Sequence, residues 1–68
     1  MYPVERRKAI LEILDHRGSV AVEELSKTLF TGEATVRRDL DRMAKEGIIT
    51  RTHGGAVKID RGNIDYPL

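Results

Sequence analysis

Residues 35–40 read Thr-Val-Arg-Arg-Asp-Leu. Two aliphatic side chains, Val36 and Leu40, stand four apart, the spacing that brings residues onto one face of an α-helix, while the adjacent arginines point elsewhere. One face of such a helix is buried and another carries planar cationic forks, which is how a helix that enters a DNA groove is built. Charge alone does not establish this, because paired arginines also decorate solvated helix faces. The segments on either side of the hexapeptide have to decide.

The same periodicity extends from Glu33 to Glu46. At about 100° per residue, Val36, Leu40 and Met43 cluster, with Ala44 just beside them, as the buried face. Ala34, Arg38, Asp41 and Lys45 lie opposite, with Thr35 and Arg42 on one flank and Arg37 on the other. Asp41 and Lys45 are spaced to pair at i, i+4. Asp39 falls beside the buried face, where an ion pair within the domain suits a carboxylate better than a place against phosphates. Gly32 is a tolerated N-cap, Glu33 suits the positive end of the helix dipole, and Gly47 closes the helix.

Upstream, Val22 to Leu29 makes a second helix that buries Leu25 and Leu29. At this length it depends on packing for its stability. The tripeptide Phe30-Thr31-Gly32 separates it from the next helix. Ser19 to Val22 suits a brief strand. Before that, Glu5 to His16 forms a first helix on Ile10, Ile13 and Leu14, broadened by Leu11 and ended by Gly18, where a left-handed residue is needed. Met1 to Val4 is expected to be a loose lead-in, although Pro3 suits a first helical turn. Downstream, Ile48 and Ile49 lead into Thr50-Arg51-Thr52, His53-Gly54-Gly55 turns the chain, and Ala56 to Ile59 returns, which together make a β-hairpin.

Sixty-eight residues make one domain, and a chain of this size buries only about 60% of the surface its unfolded form exposes. The composition, 40% hydrophobic and 34% charged, is that of a soluble globular domain. The formal net charge of +1 hides an asymmetry: residues 1–34 hold five Lys/Arg against six Asp/Glu, whereas residues 35–58 hold six against three. The second half favours an anionic partner. There is no cysteine and so no thiolate metal site, and His16 and His53 lack the spacing of a metal pair. No apolar run approaches the roughly 20 residues needed to span a bilayer, and the N-terminus is too charged for a signal peptide. A cytoplasmic protein without membrane contact, metal or cofactor is expected. No nucleophile, base and orienting acid recur in a recognisable arrangement, so no catalytic residue is assigned and an enzyme is not expected.

Helix, short strand, helix, tight turn, helix, hairpin is the order of a winged helix-turn-helix, mainly α with a small β-hairpin. In that arrangement the second helix of the pair lies in the major groove with its N-terminal residues at the base edges. Helix 33–46 is therefore the expected reading helix and hairpin 49–59 the wing, within a domain of residues 1–59. The candidate DNA contacts are Thr35, Arg37, Arg38 and Arg42 on the helix and Arg51, Thr52, His53 and Lys58 on the wing. Arg6, Arg7 and Lys27 are further candidates for phosphate. The competing use of the same fold is a module for protein or RNA contacts.

Four pieces of the chain also resemble a known family: Glu5-Arg6-Arg7 before Ile10; Val22-Glu23-Glu24-Leu25; Glu33-Ala34-Thr35-Val36-Arg37-Arg38-Asp39-Leu40; and Gly47-Ile48-Ile49 with Arg51-Thr52-His53-Gly54-Gly55-Ala56. From Arg6 to Val57, roughly three quarters of the chain, the sequence is similar to the N-terminal DNA-binding domain of the DeoR family of bacterial transcriptional regulators, mostly repressors of sugar catabolism. The resemblance implies a double-stranded DNA operator as partner and a homo-oligomer. It also implies a C-terminal domain, absent here, that binds a sugar-phosphate effector, with residues 60–68 as the linker towards it. One departure stands out. Where the family has a Gly-Val-Ser-like turn, this chain has Phe30-Thr31-Gly32, so a serine hydroxyl that would touch phosphate is missing, while glycine in its place costs the helix cap only about a few tenths of a kcal/mol.

Overall fold

Each helix of the computed structural model ends in a different way, and the three endings set the angles between the elements. The structure describes residues 2–59. Helix α1 spans Pro3–Arg17, strand β1 Ser19–Ala21, helix α2 Val22–Leu29, helix α3 Glu33–Lys45, and strands β2 and β3 Ile49–Thr52 and Gly55–Lys58. The architecture is three helices and a small antiparallel sheet, the winged helix-turn-helix expected from the element order. The expected linker, residues 60–68, lies outside the described residues.

Helix α1 starts earlier than its apolar periodicity indicates: Val4, expected in a lead-in, is already helical. Proline at the first helical position brings a helical φ and no orphan N–H. The Glu5 carboxylate then accepts from the Tyr2 backbone N–H at 3.2 Å, tying down the residue before the helix. At the other end Gly18 takes the left-handed conformation (φ 82°) and its N–H donates to the Leu14 carbonyl at 2.7 Å. That reversal sends the chain straight into β1.

Helix α3 closes with two nested bonds. Gly47 (φ 80°) donates to Ala44 and Ile48 donates to Met43, both at 3.0 Å, while Ile48 packs on the core. These bonds define the Schellman ending, in which a left-handed glycine satisfies two orphan carbonyls and turns the chain away.

Helix α2 ends without glycine. Phe30 adopts φ 52°, the one positive φ among the described non-glycine residues. Two backbone N–H groups, of Phe30 and Thr31, donate to the Ser26 carbonyl, and the Ser26 hydroxyl donates to the Thr31 carbonyl at 2.6 Å. Ser26 thus holds both sides of the turn between α2 and α3. The Phe30 ring is 95% exposed, so packing does not repay the backbone conformation.

Strand β3 is central in the sheet order β1-β3-β2, with Val20 opposite Ala56 on one side and Arg51 opposite Ala56 on the other. Gly55, expected in the turn, belongs to β3, and the hairpin loop shrinks to His53-Gly54. The cause is close packing: a Cβ on Gly55 would stand 2.0 Å from the Val20 carbonyl oxygen. The core collects Ile10 and Leu14 from α1, Leu25 from α2, Val36, Leu40 and Met43 from α3, and Val20, Ile49 and Ala56 from the sheet. The positions chosen by period on α3 are thus the buried ones.

A non-glycine residue in the left-handed region carries a cost of about 1–2 kcal/mol, which asparagine largely avoids. Phe30→Asn is therefore expected to stabilise the domain by about 1 kcal/mol, raising Tm by roughly 4–8 °C. Thermal melting followed by circular dichroism measures it. A lower Tm would mean that the exposed ring contributes more than its backbone conformation costs.

Candidate nucleic-acid interface

Helix α3 is gripped on two flanks by arginines from other elements. On the first, Arg6 of α1 donates to Asp39 through two nitrogens, Nε to Oδ2 at 2.5 Å and Nη2 to Oδ1 at 3.3 Å. Both side chains are largely covered, at 12% and 16% exposure. The carboxylate raises the affinity of the Arg6 guanidinium for its proton, chiefly through the hydrogen bond. On the second, Arg51 of β2 donates from Nε to Asp41 at 2.7 Å and from Nη1 to the carbonyls of Thr52 and Gly55. Asp41 is thus paired with the hairpin, where i, i+4 spacing led to an expectation of Lys45. The reason is tertiary: β2 turns back alongside α3 and brings a guanidinium within reach.

Between the two flanks α3 presents an open stripe. Ala34, Arg38, Arg42 and Lys45 are exposed, and Thr35 is half-exposed on its edge. Among the described residues Arg38, Arg42 and Lys45 form no ion pair. The Arg38 guanidinium leans towards the start of the helix, with Nη2 3.5 Å from the Thr35 hydroxyl. Arg42 borders α1, lining with Val4, Arg7 and Met43 a hollow of about 160 Å³. Lys45, absent from the sequence-based candidates, belongs to this stripe. The signal was available, because residue 45 follows Arg38 by seven positions and so returns to the same face after two turns.

The other candidates are placed differently. Arg37 lies off the stripe and pairs with Glu33 at 3.0 Å. Arg6 braces α1 against α3, and Arg7 bridges α1 to Glu46 beyond the end of α3. Lys27 is exposed in the last turn of α2.

In the wing, Thr52 and His53 stand exposed at the tip, whereas the Arg51 side chain is only 24% exposed. Lys58 sits at the opposite end of the hairpin, opposite Ile49, and bonds Asp15 of α1 at 2.8 Å. The tip is short and fastened: the Gly54 carbonyl accepts from the Val22 N–H, the first of α2, at 2.9 Å. The hairpin and α3 are therefore connected through α2 as well as through Arg51. Among the described residues no group of three or more His, Cys, Asp or Glu is placed to hold a metal, and no helix is long and apolar enough to cross a membrane.

A three-helix core, a tight turn into an arginine-bearing helix and a short hairpin beside it define a winged helix-turn-helix module. The chain belongs to the family of DeoR-like helix-turn-helix domains, whose model matches residues 6–62. It is 41% identical, over 93% of its length, to a candidate galactitol utilization operon repressor of Escherichia coli K12, of which it covers 56%. It is 40% identical to the HTH-type transcriptional regulator GolR of Listeria innocua over 84% of its length, and 38% identical to the glycerol-3-phosphate regulon repressor of E. coli K12 over 82%. It covers 22% of each of these two. The chain thus spans between about a fifth and just over half of the relatives it matches. No solved structure matches it significantly.

Removing one partner of a covered, doubly hydrogen-bonded ion pair leaves the other charge poorly solvated. Asp39→Ala is expected to destabilise the domain by about 2 kcal/mol, measured by urea denaturation, with much less further loss when Arg6→Ala is added. Additive losses would show that the two side chains do not act as a unit.

The Asp15–Lys58 pair gives a pH test. Its hydrogen bond to Lys58 lowers the Asp15 pKa below the ordinary 3.8, so as pH falls the unfolded chain takes up the proton first. The stabilisation is complete above that ordinary value and is lost as pH falls through the lowered one. Asp15→Asn should therefore be less stable than the parent at pH 7, with a gap that narrows as pH falls below 3.8. A gap unchanged across that range would mean the ion pair is not its source.

Proposed function

We propose that this chain is the DNA-reading domain of a transcriptional regulator, with α3 in the major groove of double-stranded operator DNA and the hairpin tip beside the sugar-phosphate backbone. The observation that carries the proposal is the open stripe on α3, where Arg38, Arg42 and Lys45 are without carboxylate partners among the described residues while the flanking arginines brace the helix. Arginine in the first turns of such a helix reaches guanine O6 and N7 with two parallel hydrogen bonds. Thr35 borders the same turn. Arg42 and Lys45, one and two turns further on, are assigned to phosphates as the groove wall curves past the helix. At the wing, Thr52 and His53 are the side chains available to the backbone; the Arg51 guanidinium is already held by Asp41 and two carbonyls.

The names of the relatives support a repressor of a sugar or sugar-phosphate operon, and as a regulator of transcription it would act in the cytoplasm. In the full protein, residues 60–68 would connect to an effector-binding domain that also assembles the oligomer. Two domains are then needed to span half-sites about 34–36 Å apart. The described surface offers a weaker basis for a protein-docking module, since its large exposed apolar residues, Tyr2, Val4 and Phe30, include no continuous patch on α3.

Arg38→Ala is expected to weaken binding to a selected operator by about 1–3 kcal/mol while changing binding to random duplex much less. Lys45→Ala should weaken both alike and lower the slope of log affinity against log salt by about one. Titrations of both duplexes at two salt concentrations separate the roles. Equal loss on both DNAs for Arg38→Ala would reduce that residue to a phosphate contact.

A further inference from the structure

The stripe on α3 contains one side chain that charge and hydrogen bonding leave out. Ala34 is exposed in the first turn of α3, one residue after Glu33, at the end that enters the groove first. It precedes Arg38 by four residues, so the methyl group and the guanidinium lie one above the other on the same line of the helix. The neighbouring charges leave this methyl uncovered. Glu33 and Arg37 pair with each other off the stripe, and Arg38 leans towards Thr35 on the stripe's other edge. The helix therefore leads with an apolar methyl and follows with a cationic fork.

We infer that Ala34 is a specificity-determining residue that packs against the 5-methyl group of a thymine within about two base steps of the pair read by Arg38. The inference rests on the DNA-reading function proposed above. In the major groove the thymine methyl is the one apolar feature of the base edges, and alanine is among the side chains that recognise it. Cytosine and uracil carry only a hydrogen at that carbon, so the methyl–methyl contact is lost on either base. Spacing narrows the position. Four helical residues rise about 6 Å, and base pairs are stacked about 3.4 Å apart, so the thymine stands within about two base steps of the guanine. Each half-site should contain that thymine–guanine combination in fixed register.

The test uses uracil, which differs from thymine by the methyl alone. The 68-residue chain is used to select bound sequences from random duplex, and each thymine of the enriched site is then replaced singly by deoxyuridine. One thymine per half-site, within two steps of a guanine, should lose affinity by about fourfold on losing its methyl, while the rest remain indifferent. Ala34→Gly should erase that sensitivity and leave the affinity for the two duplexes equal. Because each variant is compared on two DNAs, weakened folding cancels, and Ala34→Ser, which keeps helix propensity closer, gives the same comparison should the glycine variant fail to fold.

Indifference of the parent chain to every deoxyuridine, or an unchanged sensitivity in Ala34→Gly, would overturn the role of Ala34 while leaving DNA reading intact. Failure to enrich any sequence would overturn both.

Discussion

The position of α3 depends on two carboxylates two residues apart. Asp39 and Asp41 flank the buried Leu40 and therefore point to opposite sides of the helix, one towards α1 and the other towards the hairpin. Each takes an arginine from a different element. A helix packed by Val36, Leu40 and Met43 alone would still be free to roll and slide by small amounts on its apolar face, because hydrophobic contact is non-directional. Hydrogen-bonded ion pairs are directional, and a pair on each flank opposes rotation about the helix axis. The Arg6–Asp39 pair is largely covered and also contributes stability, whereas the Asp41 side is well exposed, so the value of the second pair lies more in geometry than in stability.

This arrangement sorts six arginines and lysines of the second half, which look alike in sequence, into different kinds. Arg51 and Lys58 have carboxylate partners from other elements, Arg37 has one in its own helix, and Arg38, Arg42 and Lys45 have none among the described residues. A charge without a partner inside the fold is open to one outside. The acidic residues that lower the net charge of the domain thus also decide where its positive potential emerges: they neutralise the flanks and leave the middle of α3 cationic.

The sheet performs a related task with almost no side chains. Gly55 lets β3 approach β1 more closely than any other residue would permit, and the Gly54 carbonyl caps the first N–H of α2. As a result the wing is pinned at its base, along its length and at its tip. So short a hairpin, isolated, would be marginal in water. Here it becomes part of a frame in which both candidate DNA-contacting elements are held in register.

Local pattern was enough to reveal the helices, the hairpin, the apolar face of α3 and the bracing role of Asp39. Burial leaves a period of 3.6 or 2 in the chain, and Gly18 and Gly47 mark two of the three helix ends where the backbone turns left-handed, the third, at Phe30, carrying no such mark. The start of α1 was hidden, because its first turn rests on a proline and a side-chain cap and carries no apolar repeat. The residues that bind Asp39 and Asp41 were equally hidden: Arg6 lies 33 residues from its partner, and Arg51 competes successfully with the nearer Lys45. A carboxylate's choice among cations depends on distances in space that sequence spacing does not encode beyond one helical turn. The sequence by itself therefore determined which helix carries the arginines and which of its faces is buried. Only the tertiary structure decided which arginines are already held, and so which remain free to reach DNA.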